Sequence, residues 1–307
     1  MFHILPKTNI NFIGQRKYAF LFSAVLSLIG VAAFVAIMMG KANMGLDFSG
    51  GTMIQGNFEK RVTVAAMRAA LGATGHGDAE IQELVGHIKP NSFIIRVKAS
   101  LSELGQVDSL LLDAIGKAFP ENRFHLDSSH EVGPAIGKLL RKQAQLAVLY
   151  SLFGILVYIW IRFDFRFAVV ATIATFHDVL AVLGIMFLMQ KEITLLVITS
   201  LLTLAGYSLT DTVVVYDRIR ENLKLFRKKG DFEATINTSI NEVLSRTIVT
   251  SLTVFITVLA IYLFGGNVVR DFALAMLMGV AIGTYSSIFV ASPIIVEWEN
   301  RSPKRFK

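Results

Sequence analysis

The sequence predicts a membrane all-α bundle of six transmembrane helices, with an extracytoplasmic α+β ferredoxin-like domain between helices 1 and 2. Three observations carry this reading. The 307 residues are 53% hydrophobic and only 17% charged, against about 25% charged in soluble domains, and mean hydropathy is +0.57. Six apolar runs have about the length that a bilayer core demands. The stretch between the first two runs follows strand and helix periodicities instead.

The runs are Tyr18–Met39, Ala144–Ile161, Phe167–Met189, Ile193–Tyr216, Thr247–Phe264 and Phe272–Val296. A spanning helix needs about 20 apolar residues, within a range of about 17–25. The first run is too long for a cleaved signal segment and no small-residue cleavage site follows it, so it reads as a retained signal-anchor. The resulting organisation is a tail at 1–17, helix 1 at 18–40, a periplasmic domain at 41–142, helices 2–6 within 143–297, and a tail at 298–307.

Short loops on the cytoplasmic side of a membrane carry excess Lys and Arg. One set of loops holds Lys7, Arg16 and Lys17, then Arg162 and Arg166, then Arg218, Arg220, Lys224, Arg227, Lys228 and Lys229, and finally Arg301, Lys304, Arg305 and Lys307. The opposite short loops offer Lys191 and Arg270. Both termini are therefore expected in the cytoplasm, with residues 41–142 outside. The same bias explains the net charge of +7, so no nucleic-acid partner is expected. With no cysteine, disulfides, thiolate chemistry and cysteine-ligated metals are excluded.

Within 41–142, Thr52–Phe58 reads as a strand, and Thr63 can cap a short helix that stops at Gly72. Glu80–His87 is a weakly patterned strand. Phe93, Ile95 and Val97 alternate with Arg96 and Lys98. Ser100 and Glu103 fit a capping box ahead of Val107, Leu110, Leu111, Ala114 and Ala118 at helical spacing. Arg123–Val132 begins as an alternating strand. The order β-α-β-β-α-β is the ferredoxin-like one. His76, His87, His125 and His130 lack zinc-type spacing, and no catalytic constellation, metal site or cofactor is expected. Such a domain suits binding of a passing polypeptide at a strand edge.

The informative residues are ionisable groups inside the spans, each costing about 2.5–3.5 kcal/mol at mid-bilayer and usually marking a pathway or a pair. Asp178 lies about 16 Å into the third span at ~1.5 Å per residue, beside His177. Neighbours in sequence do not face each other on a helix, so the two are not read as a ready-made dyad. Hydrogen bonding to other helices and a functional role both remain open for them. Asp211 lies roughly 8 Å from the inner end of the fourth span, in the polar stretch Gly206–Asp211, where Gly206 permits close helix contact. Arg246, just outside the fifth span, can reach inward to it. Burial disfavours an ionised carboxylate and a nearby Arg favours it, so a group held between the two can load and release a proton. A static ion pair holding two helices is the alternative. Asp217, Arg218, Arg220 and Glu221 read as a solvated helix end with local salt bridges, and Phe232–Leu244 as an amphipathic stretch along the membrane surface, in contact with lipid.

These residues also carry a signature. Gly45-Leu46-Asp47-Phe48-Ser49-Gly50-Gly51, Val132-Gly133-Pro134-Ala135-Ile136-Gly137, His177-Asp178, Arg246-Thr247, Leu263-Phe264-Gly265-Gly266 and Gly283-Thr284-Tyr285-Ser286-Ser287 resemble motifs of the SecD/SecF family, as does, most strongly, the run from Gly206 to Asn222. Thr210 stands where many relatives have Asn. The resemblance implies a proton-driven transport subunit of the resistance-nodulation-division type, not an enzyme. It implies a SecD partner, action beside the SecYEG channel on translocating preproteins, and YajC and YidC as further partners. It links Asp211 and Arg246 to proton conduction. Gly45, Asp47, Phe48, Gly50 and Gly51 are more plainly a tight turn between helix and domain.

Transporters are often built from paired repeats. This sequence holds one set of a helix, a soluble domain and five helices, so a second half is expected from another chain. An exporter of lipids or drugs, an intramembrane aspartyl protease using Asp178 and Asp211, and a passive scaffold are the competing readings. The protease is disfavoured because Leu209-Thr210-Asp211 replaces the Gly-x-Gly-Asp pattern.

Overall fold

The computed structural model describes residues 8–84, 90–97, 107–225 and 232–303. In chain order, a 3-10 turn at Ile13–Gln15 leads into α1 (Arg16–Met38). The one-turn α2 (Leu46–Ser49) is followed by β1 (Gly51–Phe58), α3 (Val64–Gly72), β2 (Glu80–Leu84), β3 (Ser92–Val97), α4 (Val107–Ala118) and β4 (Phe124–Val132). Then come α5 (Pro134–Arg162), α6 (Phe165–Leu188), α7 (Leu195–Leu225) and α8 (Phe232–Phe264). The last span is α9 (Gly266–Ser286), a π-helical segment at Ser287–Ala291, and α10 (Ser292–Arg301). Among the described residues, six helices are long and apolar enough to cross a membrane. The chain divides into a helical unit, Met1–Asn43 with Leu146–Lys307, and a sheet unit, Met44–Gln145.

In the sheet unit the strand order is β2-β3-β1-β4, and every neighbouring pair is antiparallel. The Thr63 hydroxyl accepts from the Ala66 N–H at 3.2 Å and starts α3, satisfying one of the free donors of the first turn. Ile54, Phe58, Phe93 and Ile95 from the sheet pack against Met67 and Leu71 of α3 and Leu111 and Ile115 of α4. Ile115, not Leu110, completes the buried stripe of α4; Leu110 is exposed. The expected capping box at Ser100 and Glu103, the end of the Glu80–His87 strand, and Lys7, Arg227–Lys229, Lys304, Arg305 and Lys307 lie outside the described residues.

In the helical unit, α6 and the last span are the most enclosed, while α1, α5 and α8 are mostly exposed. Their exposed Leu, Phe, Val and Tyr side chains are what lipid tails solvate. α1 and α6 cross at two glycines. A Cβ on Gly30 would stand 2.3 Å from the Leu180 carbonyl oxygen, and one on Gly184 would stand 2.8 Å from the Gly30 nitrogen. Two backbones approach this closely only where side chains are absent.

The helices outrun the apolar stretches that announce them. α7 continues past Tyr216 to Leu225. Phe232–Leu244, expected as a separate stretch on the membrane surface, is the first part of α8 and continuous with the fifth span. Ile236, Ile240 and Leu244 face the protein core with Phe163, Phe167, Tyr216 and Ile219, so that stripe is buried against protein rather than lipid. The residues before α1 are also held. Asn241 clamps both backbone groups of Ile10 at 2.9 Å, and the Asn237 side-chain oxygen accepts from the Phe12 N–H at 2.8 Å. Phe12 and Ile13 are buried, and Phe12 meets Phe289 of the π-helical segment edge-on at 5.5 Å.

Candidate functional site

Two carboxylates are buried among the helices of the helical unit, each on its own hydrogen-bond set. Asp178 on α6 is fully buried. Its Oδ2 accepts from Ser208 Oγ on α7 at 2.5 Å and from Ser286 Oγ on α9 at 2.9 Å. Its Oδ1 lies 2.9 Å from His177 Nδ1. When ionised the carboxylate only accepts, so all three partners then donate to it, and one side chain ties three helices together.

The contact with His177 corrects the expectation from helix geometry. Cβ atoms at adjacent positions diverge, but the imidazole extends far enough for Nδ1 to return to the neighbouring carboxylate. His177 Nε2 is left buried with no hydrogen-bond partner.

Asp211 on α7, 5% exposed, accepts from Ser251 Oγ on α8 at 3.2 Å. Ser251 Oγ is in turn 2.6 Å from Thr284 Oγ1 on α9. A chain of hydroxyls thus leads from Thr284 to the carboxylate. Both hydroxyl residues line a groove of about 500 Å³, otherwise walled by apolar side chains such as Leu252, Phe255 and Ile288. The buried Tyr207 hydroxyl lies near both Ser251 and Asp211.

Arg246 does not close an ion pair with Asp211. It is exposed and acts on the carboxylate electrostatically through space. The expected pairing is therefore loose: Arg246 sits at an exposed position of α8, while Asp211 is turned inward toward Ser251.

Gly206 also departs from expectation. A Cβ there would meet nothing within 4 Å, whereas one on Gly279 would strike Leu204 and one on Gly283 would approach Ser208. The close approach of α7 to α9 is made by α9's glycines. Gly206 lies instead on an exposed stripe of α7 with Thr199, Thr203 and Thr210, and α8 carries a matching exposed stripe of Arg246, Thr250, Thr253 and Thr257. Thr199, Thr203, Thr210, Thr250 and Thr257 each return their hydroxyl to the carbonyl four residues back.

The charged end of α7 is a network. Asp217 pairs with Arg162 of α5 at 2.9 Å, and Arg218 bonds both Glu221 and Glu242 of α8 at 2.6 Å. Arg220 reaches the Arg162 carbonyl at 3.4 Å, and Asn222 bonds Glu242 and Ser239. It joins three helix ends.

In the sheet unit the two glycine motifs meet. Gly45 precedes α2 in extended backbone, Asp47 is in its first turn, and Phe48 is buried. Gly50 and Gly51 turn the chain at φ of 73° and 131°, values that favour glycine. Past Gly133, α5 starts at Pro134, a favoured first position. A Cβ on Gly137 would come within 3.1 Å of the Phe48 carbonyl oxygen.

Residues 113–301 match the family described as "Protein export membrane protein SecD/SecF, C-terminal". The chain belongs to the SecD/SecF family. It is 49% identical to the protein translocase subunit SecF of Thermodesulfovibrio yellowstonii, over 96% of this chain and 97% of that one. It is 40% identical to SecF of Endomicrobium trichonymphae, over 97% and 94%. It is also similar to the crystal structure of SecDF, a translocon-associated membrane protein from Thermus thermophilus, with TM-score 0.83 and 37% identity over 98% of this chain. It spans about 40% of that SecDF chain. SecF membership and six apolar helices make this a multi-pass membrane transport protein. Its SecF relatives are named translocase subunits, a transport role rather than a catalytic one.

Sequence reasoning found Asp178, Asp211 and Arg246 from their charge in apolar runs. It missed Ser251, Thr284 and Ser286, because hydroxyls are common in membrane helices and return to their own backbone. Ser208 is marked by its place in the polar stretch Gly206–Asp211, whose hydroxyls can hydrogen-bond across helices, and by its spacing, three residues before Asp211 on the same helix face.

Proposed function

We propose that this chain is the SecF half of a proton-motive-force-driven assembly that acts with a SecD half beside the SecYEG channel to complete preprotein translocation across the inner membrane. The observation that carries the reading is Asp211: a carboxylate buried among membrane helices, held by one neutral hydroxyl, with its cation close but unpaired. Such a group has two accessible charge states. When ionised it accepts from Ser251 and is attracted to Arg246; when protonated it becomes a donor and releases both. One charge crossing 100 mV is worth about 2.3 kcal/mol, so a few protons suffice to drive repeated helix repacking.

The exposed stripes of threonine, Gly206 and Arg246 on α7 and α8 support a second membrane half. Small and hydroxyl residues line helix interfaces in membranes, and a cation facing lipid is costly. The Lys and Arg bias supports a topology with both termini in the cytoplasm and the sheet unit, as a ferredoxin-like periplasmic domain at 41–142, outside. There β4, at the sheet's edge, offers an extended exported chain a strand to pair with.

Asp211→Asn in membrane vesicles tests the reading. Export driven by the proton gradient is lost while co-purification with the SecD-type partner persists. Near-normal gradient-driven export would leave a passive scaffold.

A further inference from the structure

His177 has a use that the Asp211 switch leaves untouched. Its Nδ1 is committed to Asp178, which fixes the proton there while the carboxylate is ionised. The remaining ring nitrogen, Nε2, then carries a lone pair. His177 is 6% exposed and Nε2 has no partner. A buried acceptor left unsatisfied is costly, and this one lies beside space: His177 lines a groove of about 650 Å³ between α1, α6 and α10.

A track of polar side chains runs along an otherwise apolar groove. Ser23 and Ser27 of α1 lie beside His177, and Glu297, Arg301 and Ser302 line the end formed by α10. Phe20, Ala24, Ile173, Val290, Ile294 and Trp298 make up the apolar remainder of the wall. The polar track gives waters that enter this space the hydrogen-bond partners they need. His177 is about 18 Å along α6 and Ser27 about 17 Å along α1, at ~1.5 Å per residue, so the two are at similar depth.

We propose that His177 is a second proton-binding site of the membrane unit, loaded at Nε2 by water entering the groove from the end bearing Glu297 and Arg301. The inference rests on the proton-driven reading of this family member and adds an entry route to it. The step balances in protons. One proton arrives from water at Nε2, giving an imidazolium. The Nδ1 proton then passes to Asp178 Oδ1, leaving a neutral imidazole of the other tautomer and a neutral carboxylic acid. Neutral Asp178 holds the Ser208 and Ser286 hydroxyls less tightly, because hydrogen bonds to a charged acceptor are the stronger ones. Those two serines belong to α7 and α9, so loading His177 loosens the clamp that joins three helices, one turn from Asp211.

The groups facing His177 allow this. From α6 there is Asp178, and from α1 the hydroxyls of Ser23 and Ser27. From α9 there is Ser286, with Tyr285 engaged by Ser23 at 3.1 Å. The π-helical segment contributes Val290, and α7 contributes Ser208 and, a turn further, Asp211. From α10 come Glu297 and Arg301, paired with each other at 3.0 Å. No cation among the groove-lining residues other than Arg301, already neutralised by Glu297, opposes a charge on the ring.

The test uses the absence of native cysteine. Ala24→Cys, Ser27→Cys and Val25→Cys are placed singly in the full chain with its partner in inverted vesicles, and treated with a membrane-impermeant cationic methanethiosulfonate. Ala24 and Ser27 line the groove, while Val25, at the same depth, is exposed elsewhere on α1. Since only a water-exposed thiolate reacts, the groove positions react at least about tenfold faster than Val25→Cys. In the same vesicles His177→Gln, which keeps a donor for Asp178 and removes the proton-accepting ring nitrogen, deletes one step from the pH profile of gradient-driven export. Equal labelling rates, or a His177→Gln profile matching the parent, overturn the proposal. If Asp211→Asn retains gradient-driven export while the groove still labels and the His177 step is present, the Asp211 reading fails and this one stands.

Discussion

Ser251 hydrogen-bonds Asp211 at 3.2 Å, while Arg246, on the same helix, acts on that carboxylate only through space. The cation's role is then set by its charge rather than by the shape of its guanidinium. Coulomb attraction depends on charge and distance, whereas a forked ion pair depends on planar geometry. Arg246→Lys should keep gradient-driven export within about twofold of the parent. Arg246→Met should abolish it. Loss in both variants, measured in inverted vesicles, would mean that a direct forked pair forms during turnover.

Ser251→Ala removes the hydroxyl that bonds Asp211 and orphans Thr284 Oγ1 from its neighbour. A hydrogen bond to a charged group is worth about 1.5–3 kcal/mol. With Asp211 ionised less readily, the pH at which half of the gradient-driven export is reached should rise in Ser251→Ala. Ser251→Thr should restore it. A pH titration of export in both variants decides this.

Asp178 is predicted to tolerate an amide and not a methyl. In Asp178→Asn the side-chain oxygen still accepts from Ser208 and Ser286, so thermal unfolding of the purified complex should fall by no more than about 1–2 kcal/mol equivalent. Asp178→Ala orphans three buried groups at about 1–3 kcal/mol each, and the complex should fail to assemble. If the asparagine variant is as damaged as the alanine one, the carboxylate's charge, not its geometry, holds α6, α7 and α9.

The crossing of α1 and α6 is a packing prediction free of electrostatics. Gly30→Ala drives a methyl into the Leu180 carbonyl, at 2.3 Å, and should destabilise the protein by about 1–3 kcal/mol. Gly206→Ala, with open space around its added carbon, should leave the isolated chain's stability unchanged and weaken co-purification with the partner half. Detergent-phase melting curves and pull-down yields report the two effects separately.

Much of the helical unit could be read from hydropathy, because a span must be apolar over a fixed length. Its ends could not. The run Asp217–Leu225 is too polar for a span, yet it stays helical because Arg162 and Glu242 neutralise its charges. Phe232–Leu244 has the same amphipathic stripe whether it lies on lipid or on Tyr216, and sequence periodicity does not name the partner. The π-helical segment leaves no mark in composition. At the site, charge gave away Asp178 and Asp211, but their hydroxyl partners come from helices far apart in sequence. Cβ directions alone argue against the His177–Asp178 contact, because they neglect how far an imidazole extends.

The strap of Ile10–Ile13 fastens early residues to very late ones: Phe12 is held by Asn237, 225 positions onward, and rests on Phe289. During synthesis, then, Phe12 and Ile13 wait at the membrane without their partners until nearly the whole polypeptide has emerged. Only a chain translated through the final span can cover them. A product arrested earlier leaves these two apolar side chains without the cover that the finished fold gives them.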